Sequence, residues 1–353
     1  MALGLNTIGL RLRRLGGRIE RQHQGEGGLL TVLVGPREPN VDIVAIHGLN
    51  PFDTPNHSEA TWTASERLWL RDFLPTQVPN ARIFLFGYNS NVVFNTAAAG
   101  VRNQAKNILA GLAQHRKGNL NRPLVFICHS LGGLIVKKAL VLSAIDRKYE
   151  PILRSTHGIV FFGTPHNGGN YAGVGSIISN IGRSLLGNPS NDFINALSRN
   201  SHVLVAITDD FRHLSEQLQF ICFYETLPLG RFGIIVDQHS ATLGFSGIRE
   251  TDIALEADHN SMCKFSDGAD LTYGLVEGYI VDMIDEACSS LRQRVAGHQN
   301  MWDQDGEGNT VRLIGDRNDV SQSGDGNTAR VRGKESRIKQ VTHSDGPEIL
   351  DFI

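Results

Sequence analysis

A serine with the surroundings of a catalytic nucleophile lies in the first half of the chain. Ser130 follows an apolar run that ends at Cys128, and Gly132 and Gly133 open an apolar helical stretch directly after it. The order strand, small-x-Ser-x-Gly, helix predicts a tight turn that lifts the serine hydroxyl above the sheet. Amides at the start of the helix would stabilise an oxyanion there. Ser130 is therefore the candidate nucleophile; the alternative is a serine that only caps a helix.

A serine nucleophile of this type needs an acid and then a histidine base further along the chain. His259 fits the base best, because it lies in a polar segment just before the final predicted helix, whereas His213 and His239 are less well placed. Glu225 ends the apolar run FICFYE and is the preferred acid, since a triad acid must hold the imidazole from a rigid element. Asp237 stays open as the alternative acid.

Two leucines are placed to supply the backbone amides of an oxyanion hole. Leu131 directly follows the candidate nucleophile, and Leu49 follows the His-Gly pair that ends the apolar run IVAIHG. Hydrolases of this architecture use the amide after the nucleophile and a second amide from a loop after an earlier strand. His47 precedes the nucleophile in the chain, so we expect it to hold that loop by hydrogen bonding.

The sequence shows no motif typical of other chemistries, such as a zinc site or a nucleotide site. The sequence has no HExxH motif and no P-loop, so neither a zinc site nor a nucleotide site is expected, and no cofactor is implied. The four cysteines form no CxxC pair, which favours a reducing compartment over a disulfide framework. A formal net charge of −2 gives no support for a nucleic-acid partner.

The elements that must position these residues alternate along most of the 353-residue chain. Short apolar, β-branched runs predict strands covered on both faces, and stretches with helical periodicity separate them. This alternation predicts a mostly parallel, doubly wound sheet of the α/β class. The predicted strands are 29–34, 42–47, 82–87, 123–128, 158–163, 220–224 and 233–236, and the predicted helices are 65–74, 96–115, 130–145, 201–216 and 271–294.

Composition divides the chain into three segments. Residues 1–28 are a basic segment, which we expect to be a helix packed on the domain; a mitochondrial or membrane-surface targeting segment is the alternative. Residues 29–298 form the α/β domain, in which 164–219 is predicted as a helical, cap-like insertion. A cytoplasmic location is expected, or a mitochondrial or membrane-associated one if the basic segment acts as an address.

Residues 299–353 are polar and contain an internal repeat. Residues 306–323 (GEGNTVRLIGDRNDVSQS) align without a gap with 324–341 (GDGNTARVRGKESRIKQV), at a period of 18 residues. Such a repeat predicts a stacking unit, although the composition equally permits a disordered tail. Two repeats are marginal within one chain, so self-association with further copies is an expected interaction.

The motif series resembles a known family. The segments DIVAIHGLN, WLRDFLP, ARIFLFGYNS, RPLVFICHSLGGLIVKKAL, GIVFFGTPHNGG and ADHNSMCKF together resemble the serine-active-site, lipase-like α/β-hydrolases over about residues 29–295. That group includes fungal domains encoded with nucleotide-binding oligomerisation receptors, and it is more distantly similar to the GPI inositol-deacylases. The resemblance implies an α/β-hydrolase fold with Ser130 as nucleophile, His259 as base and Glu225 as acid. It also implies a lipid or small ester substrate; a peripheral membrane contact is expected if the basic segment is a membrane-surface helix.

The tail in turn resembles the Gly-Asn repeats of fungal effectors that form β-solenoid amyloid and transmit a signal from a receptor with the same motif. Glycine and asparagine suit tight turns between rungs, and asparagine ladders stack well in cross-β structure. The resemblance implies an effector in fungal innate immunity or heterokaryon incompatibility. The rival to an active esterase is then an assembly effector whose hydrolase domain is weakly active or silent.

Overall fold

A seven-stranded sheet is the centre of the structure, which is a computed structural model. It describes residues 29–49, 56–90, 98–166, 171–186, 201–245 and 247–298, and five short strands between 301 and 341. The basic segment 1–28 lies outside the described residues. In chain order the strands before the tail are β1 (Leu29–Val34), β2 (Val41–Ile46), the small hairpin β3 (Thr63–Ala64) and β4 (Arg67–Leu68), β5 (Ala81–Gly87), β6 (Leu124–His129), β7 (Thr156–Phe162), β8 (Gln219–Glu225) and β9 (Glu250–Leu255).

The strand order of this sheet is β1-β5-β2-β6-β7-β8-β9, and only β1 runs antiparallel to its neighbour. Every residue of β2 and β6 is buried, as expected for strands covered on both faces. The prediction of a mostly parallel, doubly wound α/β sheet is confirmed, and the arrangement is the α/β-hydrolase fold.

Helices cover both faces of the sheet. They are α1 (His57–Ala60), α2 (Trp69–Asp72), α3 (Ala98–His115), α4 (Gly132–Ile145), α5 (Glu150–Ser155), α6 (Tyr171–Leu186), α7 (Ser201–Arg212), α8 (Gln238–Ala241) and α9 (Leu271–His298). One buried apolar cluster joins α3, α4 and α7 to the sheet, and a second joins α2 and α9 to its other face. Helices α6 and α7 fall within the predicted insertion 164–219. No helix among the described residues is long and apolar enough to cross a bilayer.

The predicted strand 233–236 is wrong. The amides of Ile235 and Val236 donate to the Glu225 carboxylate and not to a neighbouring strand, and the chain then enters α8. The strand that completes the sheet is β9, whose alternating burial hides it from a search for apolar runs. A β-branched run therefore predicted a strand at a place where a side chain, and not a neighbouring strand, accepts the hydrogen bonds of the backbone amides.

The predicted helix 65–74 is also wrong. The segment begins inside the β3–β4 hairpin, whose turn residues Ser65 and Glu66 have φ values of 46° and 65°. This left-handed backbone is incompatible with a helix. Helical structure is confined to α2 and to a short 3₁₀ turn at Leu74–Thr76.

A buried cluster of charged side chains lies at the end of the sheet where β2 begins. The fully buried Asp42 carboxylate accepts hydrogen bonds from Arg82, Arg116 and Arg122, at 2.8 Å from Arg82 Nε. These guanidiniums also donate to backbone carbonyls, which ties the start of β2 to the end of α3. Asp42 is thus the only carboxylate among the described residues that balances the buried Arg116.

Replacing Asp42 by alanine should lower the free energy of unfolding by about 3–5 kcal/mol, because it leaves a buried guanidinium without its counter-charge. Urea unfolding measures the change. The exposed pair of Glu150 and Arg154 supplies the control: Glu150→Ala should cost less than about 1 kcal/mol. Equal losses from the two variants would contradict a special role for Asp42.

Lys137 is a fully buried amine between α4 and α7. Its Nζ donates to Thr208 Oγ1 at 3.2 Å and lies 5.9 Å from the ring centres of Phe161 and Phe211. Burial lowers the pKa of Lys137 from 10.5 to about 7. Because the folded pKa lies below the unfolded one, the unfolded chain binds the extra proton between these pH values, and stability should rise with pH across that window.

Replacing Lys137 by methionine should therefore raise stability at pH 7 and flatten its rise towards pH 10.5. The wild-type rise due to this amine is on the order of 4 kcal/mol, from the size of the pKa change. Urea unfolding of both proteins at pH 6.5, 8.5 and 10.5 measures it. Parallel pH profiles for the two proteins would contradict the burial effect.

The tail strands pair at the period of the sequence repeat. They are β10 (Met301–Asp305), β11 (Thr310–Ile314), β12 (Asp319–Ser323), β13 (Thr328–Arg332) and β14 (Arg337–Val341). β10, β12 and β14 form one parallel sheet, and β11 pairs in parallel with β13. Each residue pairs with the one 18 positions away, such as Thr310 with Thr328, so equivalent positions of the repeat stack on one another.

Candidate active site

Ser130 occupies a strained turn between β6 and α4. Its φ of 52° lies in the left-handed region, which a non-glycine residue adopts only where the surroundings hold it. Here Ser130 N donates to Phe162 O at 2.8 Å, and Thr164 Oγ1 donates to Ser130 O at 2.9 Å. A Cβ at Gly132 would lie 2.4 Å from the His47 carbonyl oxygen, so only glycine fits there. The turn thus presents the hydroxyl above the ends of the strands.

Three side chains form a continuous hydrogen-bonded chain. His259 Nε2 lies 3.0 Å from Ser130 Oγ, and His259 Nδ1 lies 2.7 Å from Glu225 Oε2. The other carboxylate oxygen, Oε1, accepts the amides of Ile235 and Val236, so both oxygens are occupied. A carboxylate only accepts, which puts the imidazole proton on Nδ1 and leaves Nε2 free to take the serine proton. The histidine and glutamate side chains are 1% and 0% exposed.

The segment after β9 fixes the histidine ring. The carbonyl oxygen of His259 accepts from His129 Nε2 at 2.9 Å, and Asp258 Oδ1 accepts the amide of Asn260 at 2.8 Å to form a tight turn. Gly163, with φ of 53°, makes room for the ring: a Cβ there would lie 3.0 Å from His259 Cε1. The end of β7 therefore packs closely against the turn that carries His259.

The competing sequence candidates lie elsewhere. Asp237 is exposed, and its Oδ1 accepts the amide of Ser240 at 2.8 Å, which makes it the N-cap of α8. His239 is exposed on α8 and His213 is exposed after α7. The structure brings Glu225, and not Asp237, to the His259 ring.

The amides of Leu131 and Leu49 are the two candidate oxyanion donors. Leu131 is the N-cap residue of α4, directly after Ser130, and Leu49 lines the cavity at Ser130. Within the described residues neither amide donates to another backbone group. Their places beside Ser130 make them candidates to bind an oxygen that develops negative charge on an acyl group at this serine.

His47 holds the loop that carries Leu49. Its Nδ1 donates to Gly48 O at 2.8 Å, its Nε2 accepts the Tyr88 amide at 3.3 Å, and its ring stacks on the Tyr88 ring with centroids 4.2 Å apart. Burial, with a smaller contribution from His57, lowers the pKa of His47 to about 3. The imidazole is therefore neutral at physiological pH and supports the loop.

A cavity of about 190 Å³ opens beside Ser130. Its walls come from the loop after β2, from α1 and the residue after it, from the end of β6 with Ser130, and from the turn after β9: Leu49, His57, Ala60, Thr61, His129, Ser130, His259, Asn260, Cys263 and Lys264. His57, His129 and Lys264 line the cavity, although the sequence did not predict them as wall residues. His129 adjoins Ser130 and Lys264 follows His259 closely, so chain proximity could have indicated both; nothing in the sequence indicates His57.

Comparison with known proteins finds relatives by sequence, although no family model matches the chain. Protein SERAC1 of Danio rerio is 29% identical over 247 residues, which cover 63% of this chain and 36% of that protein. Protein SERAC1 of Homo sapiens is 28% identical over 247 residues, with the same coverage of 63% and 36%. The chain thus spans about a third of the length of these curated relatives.

Solved structures of similar backbone include two esterolytic enzymes. The lipase BlEst2 of Bacillus licheniformis, in its mature form, has a TM-score of 0.48 at 16% identity and covers 74% of this chain and 99% of its own. Esterase B of Lactobacillus rhamnosis HN001 has a TM-score of 0.46 at 12% identity, with coverage of 74% and 80%.

Proposed function

We propose that this domain is a serine hydrolase that cleaves a carboxylic ester. The observation that carries the proposal is the hydrogen-bonded chain from Ser130 through His259 to Glu225, beside an open cavity. A neutral imidazole between a serine hydroxyl and a buried carboxylate is the arrangement that activates a serine for acyl transfer.

The proposed reaction has two halves. His259 Nε2 takes the proton of Ser130 as Oγ attacks the ester carbonyl, and the Leu49 and Leu131 amides bind the resulting oxyanion. Glu225 stabilises the imidazolium, which then protonates the leaving alcohol. In the second half, water activated by His259 attacks the acyl-serine and releases the acid. The residues of this chain supply every proton transfer, so the proposal needs no cofactor.

The cavity favours a small group at the reacting centre. Its volume of about 190 Å³ leaves room for a short acyl or alcohol portion of an ester. We propose a lipid or small ester as the substrate class. The lipid part rests on the resemblance to lipase-like hydrolases, and a peripheral membrane contact is proposed through the basic segment 1–28.

Hydrolysis of p-nitrophenyl butyrate tests the proposed function. The wild-type protein should release p-nitrophenol with steady turnover, preceded by a burst where deacylation of the acyl-serine is the slower step. His259→Ala should abolish turnover, whereas His239→Ala, which removes an exposed histidine, should leave it within about twofold of wild type. Equal rates for the two variants would exclude His259 as the base.

The tail favours a second, compatible function. Its strands stack in parallel with an 18-residue register, and among the described strands β10 and β14 each pair on one side only. Unpaired strand edges are templates for further strands. We propose that copies of the tail, from this protein or from a receptor with the same repeat, add to these edges and assemble the hydrolase, as in fungal effector signalling.

Removal of residues 299–353 tests this second function separately. Full-length protein should form thioflavin-positive fibres that seed fresh protein, and the truncated protein should not. Ester hydrolysis should persist in the truncated protein. Fibre formation without the repeats would contradict a role for the tail in assembly.

A further inference from the structure

Lys264 gives one wall of the cavity a positive charge. The residue lies in the turn that follows His259, it is exposed, and it lines the cavity together with Asn260 and His57, alongside Ser130. Within the described ranges, no carboxylate oxygen lies within 4.0 Å of the Lys264 ammonium. A cation at the mouth of a reactive cavity is thus left without a protein counter-charge in this part of the chain.

The charge of Lys264 acts on the neighbouring wall residues. Burial and then the Lys264 ammonium lower the pKa of His57 to about 4, so this imidazole is neutral at physiological pH. Burial raises the pKa of the Cys263 thiol to about 12, and the Lys264 charge opposes that rise. The carboxylate of Asp258, which accepts the backbone amide of Asn260, also raises the pKa of Cys263, but Asp258 does not line the cavity. Among the described lining residues, Lys264 is the one lysine or arginine.

We propose that Lys264 determines specificity by binding an anionic group of the ester substrate, a carboxylate or a phosphate a few atoms from the scissile carbonyl. This inference rests on the proposed ester hydrolysis and names its substrate class. Lys264 and Ser130 line the same cavity, so an ester whose anionic group lies a few atoms from the carbonyl can place the anion at the Lys264 ammonium while Ser130 Oγ reaches the carbonyl. A Coulomb attraction over a few ångströms acts well within the Debye length of about 10 Å at 0.1 M salt, so the preference for an anion should persist at moderate ionic strength.

Paired esters of matched length test the proposal. The measurement is kcat/KM for mono-p-nitrophenyl succinate, which is anionic, divided by kcat/KM for p-nitrophenyl butyrate, which is neutral. Wild type should prefer the anionic ester; Lys264→Gln should lower the ratio at least tenfold, and Lys264→Arg should retain most of it. Lys117→Gln, which removes an exposed lysine beyond the end of α3, should leave the ratio unchanged. An unchanged ratio in Lys264→Gln would overturn the proposal.

Two further experiments distinguish anion binding by Lys264 from ester hydrolysis, and a lipid substrate from a small carboxylate ester. Binding of monomethyl glutarate to Ser130→Ala, measured by calorimetry, needs no catalysis and should weaken at least tenfold when Lys264→Gln is added. Failure of hydrolysis with intact Lys264-dependent binding would count against the proposed function alone. Short-chain phosphatidic acid compared with phosphatidylcholine then distinguishes a lipid headgroup from a small carboxylate ester: a Lys264-dependent preference for the former identifies the lipid.

Discussion

Ser130→Ala should lower the rate of ester hydrolysis by about 10³-fold or more, the size of loss seen when a catalytic triad loses its nucleophile. Without Oγ no acyl-enzyme forms, and only the oxyanion amides and substrate binding remain to assist water. The fold should be unaffected, because alanine adopts the same turn and Ser130 Oγ contacts only His259 among the described hydrogen bonds. Steady-state kinetics with p-nitrophenyl butyrate measures the loss.

Ser143→Ala is the matched control for this change. Ser143 is a buried serine of α4 whose Oγ donates to the Ala139 carbonyl at 3.0 Å, remote from the cavity. It should retain full activity. If Ser130→Ala kept more than about a tenth of wild-type kcat/KM, the serine mechanism would be wrong.

Glu225→Gln should lower kcat by about 10⁴-fold while the protein stays folded, by analogy with other triads whose acid is made an amide. The Ile235 and Val236 amides need an acceptor, so they fix the glutamine oxygen on their side and turn its NH₂ group towards His259 Nδ1. Nδ1 must then accept, the imidazole proton moves to Nε2, and the ring can no longer take the proton of Ser130.

Asp237→Asn tests which of the two candidate acids, Glu225 or Asp237, belongs to the triad. Asparagine caps a helix as well as aspartate does, so this variant should keep both its stability and its activity within about twofold. The ratio of kcat/KM for the two variants is the measurement. Loss of activity in Asp237→Asn with activity retained in Glu225→Gln would reverse the assignment of the acid.

The nucleophile turn and most of the sheet could be predicted because their determinants are local. An apolar run followed by Cys-His-Ser-Leu-Gly has few alternatives to a strand, a turn and a helix, and the strands around it are buried on both faces. The prediction at 29–34 matches β1, although nothing in the sequence indicated that β1 pairs antiparallel with β5.

The rest of the fold and of the site depends on tertiary contacts, which the spacing of residues in the sequence does not reveal. The run 233–236 has strand propensity, yet the Glu225 carboxylate takes its amides; a buried acid thereby orients His259 and also folds the segment that carries Asp237. The charged wall of the cavity unites His57 with Lys264, which are brought together only by the packing of α1 against the turn after β9. Tertiary structure alone creates that wall.

Labelling with a fluorophosphonate probe tests the assembled site most directly, because such probes phosphonylate only an activated serine. Intact mass and peptide mapping should show one label per wild-type chain, on Ser130, with none on Ser130→Ala and a sharply slower reaction in His259→Ala. Labelling of Ser130→Ala at the wild-type rate, or no labelling of folded wild-type protein with or without seeded tail assembly, would contradict a functional triad of Ser130, His259 and Glu225.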